Sequence, residues 1–135
     1  MFGGFAKNAK ILDLDNKIEI YDEEYKNFVN LEKVLFGEGL TKIGKEAFAF
    51  SKLSKVNIPD SVKTIGNYAF YNCRQLKETG DLKGVVTLGD YAFYYCYKIT
   101  ELVFGNSLTS IGKYAFTYTQ IKEFVYLRST FSLSR

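Results

Sequence analysis

One phrase, used four times, constrains this chain more than any other feature. TKIGKEAFAFSKL, KTIGNYAFYNCRQL, VTLGDYAFYYCYKI and TSIGKYAFTYTQI come into register on Gly44, Gly66, Gly89 and Gly112, with spacings of 22, 23 and 23 residues. A fixed period of this length belongs to stacked arrays, in which a unit buries its apolar face only against the unit before it and the unit after. The chain therefore reads as a single solenoid domain over residues 1–135.

Within the register the apolar columns keep their chemistry. Ile43, Ile65, Leu88 and Ile111 precede the glycine; Ala47, Ala69, Ala92 and Ala115 follow it, and Phe48, Phe70, Phe93 and Phe116 come next. Stacked coils sit about one strand spacing apart, roughly 4.8 Å, so the phenylalanines are expected to form a continuous aromatic spine. That accounts for part of an unusual ring content: 12 Phe and 11 Tyr, with no Trp.

A second column, Leu53, Leu76, Ile99 and Ile121, opens a short run: LSKVNIP, LKETGDL, ITELVFG and IKEFVYL. Alternating apolar pairs, such as Val56 with Ile58 and Leu102 with Phe104, read as strand. Successive strands one repeat apart are expected to pair in parallel along one face. LKETGDL departs from the pattern, and Gly80 within it points to a bulge.

LEKVLFG at 31–37 continues the pattern upstream, and Ile20, Tyr25 and Leu31 fall 22 or 23 residues before Ile43, Phe48 and Leu53. The expected division is a degenerate first repeat or cap over 1–30, repeats over 31–53, 54–76, 77–99 and 100–121, and a partial final repeat over 122–135. The acids of the first unit, among them Asp13, Asp15, Asp22 and Glu23, suit the polar outer face that a terminal unit presents.

SVKTIGNYAFYNCRQL, preceded by Ile-Pro and echoed downstream, resembles the BspA-type leucine-rich repeats of bacterial and protist surface proteins, over about residues 31–127. The resemblance implies an α/β leucine-rich-repeat solenoid, right-handed and curved. Parallel strands would line its concave face, and irregular or short helical turns the convex face. It also implies a protein of a host or neighbouring cell as partner, adhesion as the role, and a cell-surface or secreted location. The chain as given shows no secretory signal, and the compartment stays open.

Several chemistries are excluded or disfavoured. The chain has no His, so a Ser-His-Asp or Cys-His machine is not available from it. Two cysteines fall short of the usual four ligands of a structural zinc site, so no metal is expected. GLTKIGKEAF approaches a phosphate-binding loop, yet Glu46 stands where Ser or Thr should follow Lys45. In the sister segments Gly39 becomes Ser61, Gly84 and Ser107, and Lys45 becomes Asn67, Asp90 and Lys113. Only the second glycine persists, as a backbone position needing positive φ or close approach between coils; no cofactor is expected.

A net charge of +3, scattered without a run of five like charges, does not favour nucleic acid. No stretch is long and apolar enough for membrane insertion through a helix. Cys73 and Cys96 share a column 23 residues apart. Coil spacing would permit a disulfide, but a reduced, buried pair is the expected state.

The candidate site is the concave strand face. Lys33, Lys55, Glu78, Glu101 and Glu123 should form one row, and Leu35, Asn57, Gly80, Val103 and Val125 the next. A third row, Gly37, Pro59, Leu82, Gly105 and Leu127, is also more apolar than a solvated face requires, and reads equally as an extension of that surface or as positions covered by a flanking loop or by further chain. The glutamates stand at distances a glycosidase pair could use, but a solvated acidic edge is the better reading. The expected function is non-catalytic protein binding. The alternative is an intracellular assembly module, a homo-oligomer formed through the uncapped C-terminal end.

Overall fold

A computed structural model describes residues 7–122 and the backbone of 125–126. Among these residues there is no α-helix; the chain winds in coils joined by parallel strand pairing. Nine short strands among the described residues fall into three sheets. β1 (Ile11–Leu14) pairs with β3 (Lys33–Phe36), and β7 (Val103–Phe104) with β9 (Val125–Tyr126). The largest sheet runs β2 (Glu19–Ile20), β4 (Lys42–Ile43), β5 (Thr64–Ile65), β6 (Thr87–Leu88) and β8 (Ser110–Ile111).

Away from the first strand face, a five-stranded sheet leads into irregular turns, so the expected alternative of short helical turns, and the α/β class with it, does not hold among the described residues. The strands of this sheet are two residues long, the TKIG stretch of each repeat, and each pairs only with the coils on either side. Ile20, Ile43, Ile65 and Leu88 point inward and are fully buried.

Helical turns are ruled out by how the backbone N–H groups of the following stretch are used. The N–H groups of Glu46, Phe48 and Phe50 donate to carbonyls of the next coil, at Asn67, Ala69 and Tyr71. Those of the alternate residues Ala47, Ala49 and Ser51 donate three residues back within their own coil. An α-helix requires every N–H to donate four residues back, so alternation between coils excludes it. The geometry places two residues per turn in the left-handed region, such as Tyr68 and Asn72, and Tyr91 and Tyr95.

The aromatic spine is present. Tyr25 stacks on Phe48, Phe48 on Phe70 and Phe70 on Phe93, with centroids 5.5, 5.6 and 5.3 Å apart. Around it the alanine column and the Leu53, Leu76 and Ile99 column are fully buried, completing one continuous core. Cys73 and Cys96 are free thiols within it.

The persistent glycine owes its place to close approach and not to positive φ. A Cβ on Gly89 would lie 2.5 Å from the amide nitrogen of Asn67 in the preceding coil. The neighbouring position tightens the same contact: the amides of Asp90 and Lys113 donate to side-chain oxygens of Asn67 and Asp90, at 2.8 and 3.0 Å. Lys45, the residue that gave the phosphate-loop resemblance, lies in this column, and its amide donates to Asp22 Oδ1.

Candidate interaction surface

The first strand face begins as expected. Ile11 pairs with Lys33 and Asp13 with Leu35. Single bridges then carry the row from Lys33 to Lys55 and from Lys55 to Glu78. Alternation decides what each residue does: Val34 and Val56 point into the core while Lys33, Leu35, Lys55 and Asn57 face solvent.

Beyond Glu78 the ladder is interrupted. Gly80 has φ of +75°, and after it Leu82 is buried and bridges Phe104, while Asp81 is exposed. Gly80 thus inserts a kink that turns Leu82 inward, where the unbroken alternation would have placed Asp81. Thr79 stays buried, its hydroxyl donating to the Gly80 carbonyl at 2.9 Å. Strand pairing then resumes between Val103 and Val125.

The face carries two shallow clefts, one on each side of the Lys55–Glu78 bridge, with the kink inside the second. One, of about 460 Å³, is lined by Lys33, Leu35, Lys55 and Asn57 together with Ile11 and Ser54. The other, of about 380 Å³, is lined by Glu78, Glu101 and Val103 together with Lys77, Gly80 and Asp81. The face is charged unevenly: the first cleft sets Lys33 and Lys55 against Glu32 beside exposed Leu35, and the second sets Glu78, Asp81 and Glu101 against Lys77. Lys55 and Glu78 meet at the boundary, 3.5 Å apart and more than half exposed. Glu123 lies outside the described residues, and Val125 is placed by its backbone alone.

The third row does not extend this surface. Gly37, Leu82 and Gly105 are buried and Pro59 is half-buried, so these positions turn the chain into the core; Leu127 lies outside the described residues. The proposed C-terminal contact surface also falls largely there. Among the described residues, no group of three or more His, Cys, Asp or Glu side chains is placed to hold a metal ion.

Sequence reasoning missed a second surface, on the turns. Tyr68 stacks on Tyr91 at 4.7 Å and Tyr71 on Tyr94 at 5.6 Å, both with planes within 5°. Tyr95 stacks on Tyr118 at 4.9 Å, and Arg74 lies over the rings of Tyr95 and Tyr97. The columns that carry these rings were visible in the repeats; their exposure was not, because a tyrosine column reads equally as core.

Parallel strands, a 22–23-residue coil and inward ladders of Ile, Leu and Phe define a leucine-rich-repeat solenoid. More narrowly, residues 18–135 match the BspA type leucine rich repeat region in six copies, and the chain belongs to that family. Among solved structures it is similar to the leucine-rich repeat protein of T. pallidum, with TM-score 0.81 and 22% identity over 87% of this chain. It is also similar to the pneumococcal vaccine antigen PcpA, with TM-score 0.78 and 22% identity over 87% of this chain. A leucine-rich repeat protein from Bacteroides ovatus aligns over 86% of this chain, with TM-score 0.57 and 19% identity. The chain spans 58%, 30% and 43% of those three proteins. Comparison with curated protein sequences finds no match. Membership of a leucine-rich-repeat family suggests a protein-interaction module.

Proposed function

We propose that the chain is a non-catalytic recognition module that binds a protein partner through the first strand face, in an adhesion-type role. The observation that carries this reading is the cleft in which Leu35, 45% exposed, lies one row along from the bridged pair Lys33 and Lys55 on a laddered backbone. An exposed apolar side chain beside two cations, on strands that need no rearrangement, favours binding because little conformational entropy is lost on association. The acidic cleft around Gly80 adds a charge of opposite sign, so the preferred partner presents acidic groups to Lys33 and Lys55 and basic groups to Glu78 and Glu101. Complementarity of this kind sets orientation and on-rate more than affinity.

The test is binding of the fluorescently labelled chain to a panel of cell types, with and without prior protease treatment of the cells. Binding should be lost after protease treatment, and lost in Leu35→Asp/Val103→Asp while the thermal unfolding midpoint changes little. Binding that survives either change would overturn the reading.

A further inference from the structure

Among the described residues, ten non-glycine residues of the turn side have positive φ, and six of them are aromatic: Phe50, Tyr68, Tyr91, Tyr95, Tyr114 and Tyr118. The left-handed region is cheap for Asn and costs an ordinary L-residue about 1 kcal/mol or more. Asn27 and Asn72 show that the turn accepts the cheap solution. Rings have therefore been placed where the backbone alone disfavours them. Stacking between coils offsets part of that cost, yet Tyr114 and Tyr118 remain 58% and 54% exposed. With ring faces turned to one another in the stacked pairs, what meets solvent is a row of ring edges and phenol hydroxyls. Partial desolvation and neighbouring phenols push the Tyr68 and Tyr94 hydroxyls up from their ordinary pKa.

Two adjacent columns of this side have a property that appears only when they are read backwards. The first is Asp22, Lys45, Asn67, Asp90, Lys113. Laid antiparallel on itself about Asn67, it sets Asp22 against Lys113 and Lys45 against Asp90, with Asn67 facing its own copy. The second column is Glu23, Glu46, Tyr68, Tyr91, Tyr114. The same operation sets Glu23 against Tyr114 and Glu46 against Tyr91, a carboxylate facing a phenol each time. Both copies have the same coil spacing, so one alignment satisfies every pair at once.

The ladder leaves these charges available. Among the described residues, none of Asp22, Lys45, Asp90 and Lys113 is in a salt bridge, although Asp22 and Asp90 each accept a backbone N–H. Glu46 is already paired with Lys26 at 2.5 Å, so Glu23 is the freer carboxylate of its column.

We propose that this tyrosine-rich turn side is a two-fold interface for a second copy of the chain, with the axis passing beside Asn67 and Tyr68. An interface of this kind is self-complementary, because each contact occurs twice with the partners exchanged. Tyrosine and arginine are the residues that interface cores favour, and a phenol donating to a carboxylate makes a charge-assisted hydrogen bond. The surface is distinct from the strand face, so both can be occupied together.

Sedimentation of the whole chain over a range of concentrations tests this. The mass should rise from one chain toward two, and added sodium chloride should oppose the rise, since exposed charges are screened. Lys45→Glu/Lys113→Glu places like charges opposite at four points while leaving the amides of both positions in place, and should weaken association about tenfold or more. Mixing it with Asp22→Lys/Asp90→Lys should restore a dimer containing one chain of each kind. Circular dichroism and thermal unfolding confirm that each variant is folded. A wild-type chain that stays at one-chain mass up to its solubility limit overturns the proposal. So does a dimer unaffected by Lys45→Glu/Lys113→Glu, a mixture of folded variants that forms no mixed dimer, or a monomer that uses this side only for a different protein.

Discussion

The rings of Phe70 and Phe93 lie parallel, with an interplanar angle of 0° and centroids 5.3 Å apart, and neither side chain is exposed. Each belongs to a different coil, so the contact joins units 23 residues apart and transmits stability along the array. Phe93→Ala removes a ring in contact with Phe70 from a site closed on every side. Large-to-small changes of this type cost about 3–5 kcal/mol. Urea unfolding followed by circular dichroism reads the loss, and a change below about 1 kcal/mol would place the spine elsewhere.

Gly89 and Gly80 separate the two reasons for a glycine. At Gly89 an added Cβ meets backbone atoms of the preceding coil at 2.5 and 2.6 Å, which can move apart only by opening the stack. Gly89→Ala is expected to cost about 3 kcal/mol through overpacking. At Gly80 the nearest atom is 3.4 Å away and the burden is the φ of +75° alone. Gly80→Ala should cost about 1 kcal/mol, and Gly80→Asn less, because Asn tolerates the left-handed region. Equal losses at Gly89 and Gly80 in a denaturant titration would contradict this division.

What could be read from sequence follows from what repeats. Ile43, Ile65 and Leu88, or Phe48, Phe70 and Phe93, keep one chemistry because each ladder demands it, and comparing segments exposes that demand. The five-stranded sheet was not legible because its strands contribute two residues each, too few for alternation to register. Their partners lie 22–23 residues away, beyond any local pattern. The turn conformation was hidden for the opposite reason: Tyr68 and Tyr91 at positive φ contradict the propensity that would have revealed them. On the strand face, Gly80 marked the bulge, and Lys33, Leu35, Lys55, Glu78 and Val103 fall on the clefts because alternation from buried Val34 and Val56 fixes their direction.

Cys73 and Cys96 provide a pH-dependent test of burial. Each thiol donates 3.2 Å to the carbonyl of a spine phenylalanine, Cys73 to Phe48 and Cys96 to Phe70. Burial pushes the Cys73 thiol from its ordinary 9.0 up to about 11, partly opposed by its hydrogen bonding with Ser51. Burial likewise pushes Cys96 up, and the adjacent Cys73 adds to it. The neutral thiol is the form the fold favours, so this stability is complete below pH about 9 and declines as the pH rises from 9 toward 11, where the unfolded chain ionises first. For Cys73 the loss by pH 11 amounts to about 2–3 kcal/mol. Tyr25, raised to about 12 by burial and then by Glu24, continues the decline at higher pH. In urea titrations between pH 8 and 10.5, Cys73→Ala/Cys96→Ala should fall less steeply than the wild type, whatever its starting stability. Parallel pH profiles would mean that the thiols reach solvent in the folded chain.

Lys55 and Glu78 lie where the basic and acidic halves of the strand face meet, and both side chains are more than half exposed at 3.5 Å. A pair in that setting gains modest Coulomb energy and gives up side-chain freedom, so its coupling should be under about 1 kcal/mol. A double-mutant cycle on unfolding with Lys55→Ala and Glu78→Ala measures it, and raising the salt concentration should reduce it further. The small value has a functional consequence. Separating these two side chains to contact a partner would cost little, so a charged ligand bridging the two clefts could replace the pair without disturbing the ladder beneath it. A coupling of about 2 kcal/mol or more, unchanged by salt, would instead make the pair a structural clasp and leave Lys33 and Glu101 as the charges free to bind.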